Sequence, residues 1–164
     1  MRVVVATGNR GKLGELTALL APLGVDLLPQ SAYGVEPPPE TGTTFLSNAL
    51  IKARHAARVA QLPAVADDSG LEVDALGGAP GVYSAGYAGE GSDAAANNAK
   101  LLKALTGVPP EKRRARFRAI IVFVRSAVDP HPLVGEGVWE GRIALAPRGI
   151  GGFGFDPLFA PLDS

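Results

Sequence analysis

The sequence has no cysteine among its 164 residues, which excludes disulfide cross-links and thiolate metal sites together. It has only two histidines, His55 and His131, too few for a histidine-built zinc centre without carboxylate help. Neither sign of charge is in excess: Lys+Arg and Asp+Glu number 16 each, so the net charge is zero. A chain organised chiefly to hold nucleic acid or an anionic membrane carries a basic surplus, and this one has none. No apolar run approaches the roughly 20 residues of a membrane span. The opening "MRVVVATGNR" has too short an apolar stretch for a secretion signal and soon meets a polar, glycine-containing turn. The expectation is a soluble, cytoplasmic protein with neither a membrane nor a nucleic acid as partner.

Apolar residues make up 46% of the chain and charged residues 20%, a balance that supports one compact domain with a substantial core. "RVVVAT" (2–7) reads as a buried strand, "GKLGELTALLAPLG" as a helix with Leu13, Leu16 and Leu20 on one face, and "VDLLPQ" (25–30) as a second strand. This β-α-β opening is the signature of parallel pairing. The Pro-rich "VEPPPETGTT" (35–44) is a rigid loop that delivers Glu40 just before a helix over 43–62. Thr44 is its expected N-cap, and Phe45, Ala49, Ala53 and Ala56 form a stripe at helical spacing, with Asn48 and Lys52 beside it. After "PAVADDSG" a half-buried strand, "LEVDAL", is expected, then a Gly-rich loop and a helix over 92–107 capped by Ser92. The stretches 114–127 and 133–145 read as neighbouring, antiparallel strands.

Four stretches could carry chemistry. "TGNRGK" (7–12) is a strand-to-helix turn with a lysine in the first helical turn, where backbone N–H groups, the helix N-terminus and an ammonium all favour phosphate. It is not a Walker A loop: counted from Gly8 the pattern requires Gly where Leu13 stands, and counted from Gly11-Lys12 it requires Ser or Thr there. The second stretch is the acid pair Asp67-Asp68. Neighbours in a strand point to opposite faces, so both acids can aim at one ligand only if the chain turns at Ser69-Gly70. Two carboxylates close together need a cation, and Mg²⁺ fits, with Glu40 as a third acid; a Ser/Asp turn with capping hydrogen bonds is the plain alternative. Third, "GGFGFDP" (151–157) lets backbone approach a ligand, with Phe153 or Phe155 offering a stacking face. Gly149-x-Gly151-x-x-Gly154 satisfies the dinucleotide pattern GxGxxG only by chance, because "APR" rather than a strand precedes it and Pro157 rather than a helix follows. Fourth, "EKRRARFRA" (111–119) is basic, but Arg116 and Arg118 are expected on the solvent face of a strand rather than on RNA.

"TGNRGK", "ETGTTFLSNALIKA", "ADDSGLEVDALGGAPGVYSA" and "GGFGFDP" together, in this order and at these separations, resemble the inosine triphosphate pyrophosphatase family, the Ham1-like XTP/dITP diphosphatases. The resemblance runs from Met1 to about Phe159. It implies an α/β fold, a mixed sheet with flanking helices and two lobes around a central substrate cleft. It also implies a homodimer that uses Mg²⁺ to hydrolyse dITP, ITP or XTP to the monophosphate and pyrophosphate, sanitising the nucleotide pool. By the same resemblance Thr7, Gly8, Asn9, Arg10, Gly11 and Lys12 bind triphosphate, and Lys52 faces phosphate from its helix. Glu40 and Asp68 are implied metal-associated acids, with Asp68 the general base. Ser69 contacts substrate, and Phe153, Gly154, Phe155 and Asp156 form part of the nucleoside pocket, with Phe153 stacking on the base.

Two departures qualify this expectation. Gly86 stands where the family usually carries Arg. The family also continues past "GGFGFDP" into a segment with a Lys and a Ser-His-Arg motif, neither of which occurs here. The expectation is therefore a single pyrophosphatase domain over 1–164 lacking that segment, the alternative being a nucleotide-binding protein with little or no turnover.

Overall fold

A computed structural model describes residues 1–7, 10–148 and 154–162, with only the backbone of Arg10 and Gly11. The strands are β1 (Arg2–Val5), β2 (Asp26–Pro29), β3 (Ala64–Val73), β4 (Arg114–Val124), β5 (Leu133–Ile143) and β6 (Phe159–Pro161). The α-helices are α1 (Arg10–Leu20), α2 (Phe45–Ala60) and α3 (Ala94–Ala104). The strands form one mixed six-stranded sheet in the order β2-β1-β3-β4-β5-β6. Within it β1 runs parallel to β2 (Val3 opposite Leu27) and to β3 (Val5 opposite Val65), while β5 and β6 are antiparallel. An α/β fold with a mixed sheet and flanking helices is thus what the family resemblance implied, and the parallel β1–β2 pairing is what the β-α-β pattern called for. The chain divides into two compact units, Met1–Asp68 with Ile120–Glu136, and Ser69–Ala119 with Gly137–Ser164.

In the first unit, β-branched residues supply the flat apolar surface that a buried parallel strand needs. Val3, Val5 and Val65 form its centre, packed by Leu13 and Leu16 of α1 and by Leu27, Ile121 and Phe123. Helix α2 starts at Thr44, whose hydroxyl accepts the Ser47 N–H while the Ser47 hydroxyl accepts the Thr44 N–H, a reciprocal capping box. The expected stripe of Phe45, Ala49, Ala53 and Ala56 is buried throughout. Small alanines on that face let α2 lie close over β1, and a larger side chain there would overpack the contact by about 1–3 kcal/mol.

The second unit is built around Leu71, Val73, Leu101, Leu105, Ile143, Leu158 and Phe159. Gly141 in β5 is required there, because a Cβ at that position would lie 2.5 Å from the Phe159 ring. Buried Arg113 spends its guanidinium on backbone carbonyls, donating to Val108, Ala144 and Leu105 at 2.8, 3.3 and 2.8 Å.

Two expectations need correction. The chain makes no turn at Ser69-Gly70; β3 runs unbroken through "ADDSGLEV", because sheet pairing on this strand overrides the turn preference of Ser and Gly. Helix α3 is capped not by Ser92 but by Asp93, whose carboxylate accepts the Ala96 N–H at 2.8 Å. Ser92 instead donates to Asn97 Oδ1 at 2.7 Å.

Candidate active site

The continuity of β3 decides what the acid pair does. Adjacent residues of a strand project to opposite sides, so Asp67 and Asp68 cannot share one partner. Asp67 accepts a hydrogen bond from Lys12 Nζ at 2.7 Å, made across 55 residues from the first turn of α1. Asp68 has a different cation: Lys52 Nζ, on α2, lies 3.9 Å from its Oδ1. The same ammonium is 3.4 Å from Oε1 of Glu40, so two carboxylates lie within 4 Å of one lysine. The cation that the two adjacent acids required is, in this structure, a pair of lysines.

Glu40 is brought there by its loop. Asn48, buried in α2, accepts the Gly42 N–H at 2.8 Å and so ties the loop to the first turns of the helix. Gly42 is obligatory in this arrangement, since a Cβ would collide with the Ser47 hydroxyl and lie 2.7 Å from Asn48 Oδ1. Lys52 follows Asn48 by one helical turn, so the residue that positions the loop and the residue that meets its acid share a face. All five charged groups, Lys12, Glu40, Lys52, Asp67 and Asp68, belong to the first unit. Asp68 and Lys52 are largely withdrawn from water, with side chains 13% and 19% exposed. Their attraction is therefore screened less than that of a surface pair.

Of the turn "TGNRGK", Thr7 is half-buried beyond the end of β1, and Arg10 to Lys12 open α1. Gly8 and Asn9 lie outside the described residues, as does Phe153. Ser69 is exposed on β3, in the second unit. Gly154 and Asp156 belong to the same unit; Asp156 is exposed, whereas Phe155 is a core residue, 4% exposed and edge-on to Tyr87. Phe155 can therefore offer a ligand its backbone but not a stacking face.

Sequence reasoning missed a polar framework on α3. Asn98 donates its amide to the Gly154 carbonyl at 3.0 Å. Asn97 holds the segment before the helix, donating to Ala85 O at 2.9 Å and accepting the Ala88 N–H at 2.8 Å. The available signal was two adjacent asparagines inside an alanine-rich helix, where asparagine is disfavoured unless tertiary contacts use it. The basic stretch 111–119 also differs from its reading. Arg116 does not simply face solvent; its side chain is 19% exposed and engages Asp74 and Glu140, and Arg118 donates to Glu72 at 3.1 Å. The Asp74 hydrogen bond, then that of Glu140, pushes the Arg116 guanidinium above its usual range, and Asp74 is held below the ordinary carboxylate value by its bond from Arg116. These arginines are committed to carboxylates.

Residues 3–164 match the Ham1 family. The chain is 61% identical over 157 residues, 96% of its length and 79% of the relative's, to a dITP/XTP pyrophosphatase of Xanthomonas campestris pv. campestris (strain 8004). It is 58% identical over 159 residues to a dITP/XTP pyrophosphatase of Thioalkalivibrio sulfidiphilus, covering 97% of this chain and 81% of that protein. Among solved structures, a HAM1 protein from Coxiella burnetii superposes with a TM-score of 0.93 at 46% identity, over 97% of this chain and 81% of that one.

Proposed function

The chain belongs to the Ham1 family, and from that premise we propose that it hydrolyses non-standard purine nucleoside triphosphates (dITP, ITP or XTP) to the monophosphate and pyrophosphate. The observation that carries this reading is the set of lysine–carboxylate contacts in the first unit: Lys12 with Asp67, and Lys52 with Glu40 and Asp68. Two ammonium groups, one of them in the first turn of a helix that follows a strand, suit a polyanion, and the acids within 4 Å of them suit a dication and a proton acceptor.

The donor set fits Mg²⁺. It is all oxygen, and two carboxylates lie within 4 Å of a single point, the Lys52 nitrogen. Among the described residues no group of three or more His, Cys, Asp or Glu side chains could hold a metal. Magnesium needs no such cage, because it is commonly held by one or two carboxylates with substrate phosphates and water completing the shell. Glu40 and Asp68 would hold it, and when bound it would polarise phosphate oxygens and favour ionisation of water.

The protein's own groups do the rest. Asp68 accepts the proton of the attacking water, whose oxygen bonds to the α-phosphorus as the bond to the α–β bridging oxygen breaks and pyrophosphate leaves. Lys12 and Lys52 neutralise charge building on the phosphate oxygens. On the nucleoside side, the Gly154–Asp156 segment of the second unit is fastened by Asn98. Polar groups matched to a 6-oxo purine would reject a 6-amino one by leaving donors unpaired. We place the enzyme in the cytoplasm as a homodimer; β5 leaves Leu133, Val134, Val138 and Trp139 about half exposed, apolar surface of the kind a subunit interface covers.

The test is pyrophosphate release from dITP, with dATP and dGTP as controls, with and without Mg²⁺. Metal-dependent release from dITP, and little from the controls, is expected. Tight dITP binding with no release would overturn the catalytic reading in favour of a nucleotide-binding protein.

A further inference from the structure

The lysines hold the acids that the proposed metal requires. Lys52 Nζ lies 3.4 Å from Glu40 and 3.9 Å from Asp68, and Lys12 Nζ lies 2.7 Å from Asp67. A dication arriving at Glu40 and Asp68 meets an ammonium already between them, and like charges at that separation repel. Lysine is suited to moving away. It is a compact charge on a flexible four-carbon stem, and at Lys52 it lies 3.4 Å from one carboxylate and 3.9 Å from the other without the planar two-pronged grip a guanidinium makes.

We propose that Lys52, with Lys12 as its counterpart on Asp67, is an exchangeable counterion: it neutralises the acids while the site is free and transfers to phosphate when nucleotide binds. This deepens, and rests on, the reading of the site as a Mg²⁺-dependent triphosphate site. Its consequence is that Lys52 opposes metal binding in the absence of nucleotide. A triphosphate draws the ammonium off the carboxylates, so each ligand raises the affinity for the other, a coupling of the order of 5–150-fold in typical cases. Direct contact between metal and phosphate also couples the two ligands, but it gives Lys52 no part in the binding of metal alone. That is where the two accounts separate.

The experiment is Mn²⁺ binding, followed by electron paramagnetic resonance, to the whole chain and to Lys52→Met, first with the metal alone and then with the α,β-methylene analogue of dITP. Lys52→Met is expected to bind Mn²⁺ alone about ten-fold more tightly than the parent, while binding the analogue more weakly. Lys52→Gln, which keeps more polarity should the methionine variant fail to fold, is expected to do the same. Circular dichroism checks the fold of each. If the parent binds Mn²⁺ but neither folded variant binds it more tightly, the exchange is wrong and the metal reading stands. If the parent binds no Mn²⁺ even with the analogue present, the metal reading fails and the exchange falls with it.

Discussion

The stretch from Asp67 to Asp74, in β3 and the residue just after it, carries two pairs of acids, and its two ends treat them differently. At the first-unit end Asp67 and Asp68 meet lysines, each through one ammonium. At the second-unit end Glu72 and Asp74 meet arginines. Arg116 grips both oxygens of Asp74 at 2.9 and 3.2 Å while its Nε donates to Glu140 at 3.0 Å. A planar guanidinium in a two-pronged contact is fixed in direction and resists replacement, whereas an ammonium swings and can be displaced. The same short stretch thus holds a structural charge network at one end and, in the proposed reaction, a working one at the other. The type of cation distinguishes them, since the acids themselves look alike in the sequence.

Removing one acid or cation at a time should expose this division. The largest effect is expected for Asp68→Asn, which leaves the polar side chain in place but removes the proton acceptor: kcat for dITP should fall roughly 10²–10⁴-fold with the thermal midpoint little changed. A variant with near-parental turnover would remove Asp68 from the chemistry and with it the contrast between the two ends. Arg116→Met should do the reverse. Loss of its pairs with Asp74 and Glu140 should lower the unfolding free energy by about 1–2 kcal/mol, measured by urea titration at low salt, with kcat within about two-fold of the parent. A large fall in kcat with unchanged stability would make the arginine network part of the site.

The smallest effect sharpens the comparison, because it places an arginine-held acid inside the unit that contains the lysine-paired acids. Asp129 accepts the backbone N–H groups of Arg125 and His131, both at 2.9 Å, and the Arg125 guanidinium at 3.1 Å. The Arg125 backbone bond, then that of His131, holds its carboxyl below the usual value of 3.8. A depressed folded value means the stabilisation is complete above that ordinary value and is lost as pH falls through the lower, folded one. The stability advantage of the parent over Asp129→Asn should therefore shrink as pH is lowered from 5 to 2 (a range chosen to bracket, approximately, that titration). A gap that stays constant over the range would show that Asp129 does not titrate with folding.

Local signals in the chain were read well where one residue decides the outcome. Thr44 caps α2 because its hydroxyl needs only the Ser47 N–H three residues on, and the alanine stripe is buried because helical spacing puts it on one face. Where two adjacent residues could serve, the sequence did not choose between them: Ser92 and Asp93 are both good caps, and the chain's approach to α3 selected the aspartate. The composition of Ser69-Gly70 suits a turn, yet Gly70 is buried within a strand, held there by pairing that no local window contains. The candidate site was legible as residue types but not as pairs. The Lys12–Asp67 contact joins residues 55 positions apart, and nothing in either segment names the other.

By itself the sequence determined the element types, the apolar faces, the family and the kinds of charged group available, because each depends on residues a few positions apart or on motifs many residues long. Tertiary structure alone decided that Asp67 and Asp68 part to different lysines, that Phe155 turns into the core while Asn98 holds Gly154, and that Arg116 serves acids rather than solvent. Those choices depend on which segments the sheet brings together, and charges act through space over a few ångströms without regard to their separation along the chain.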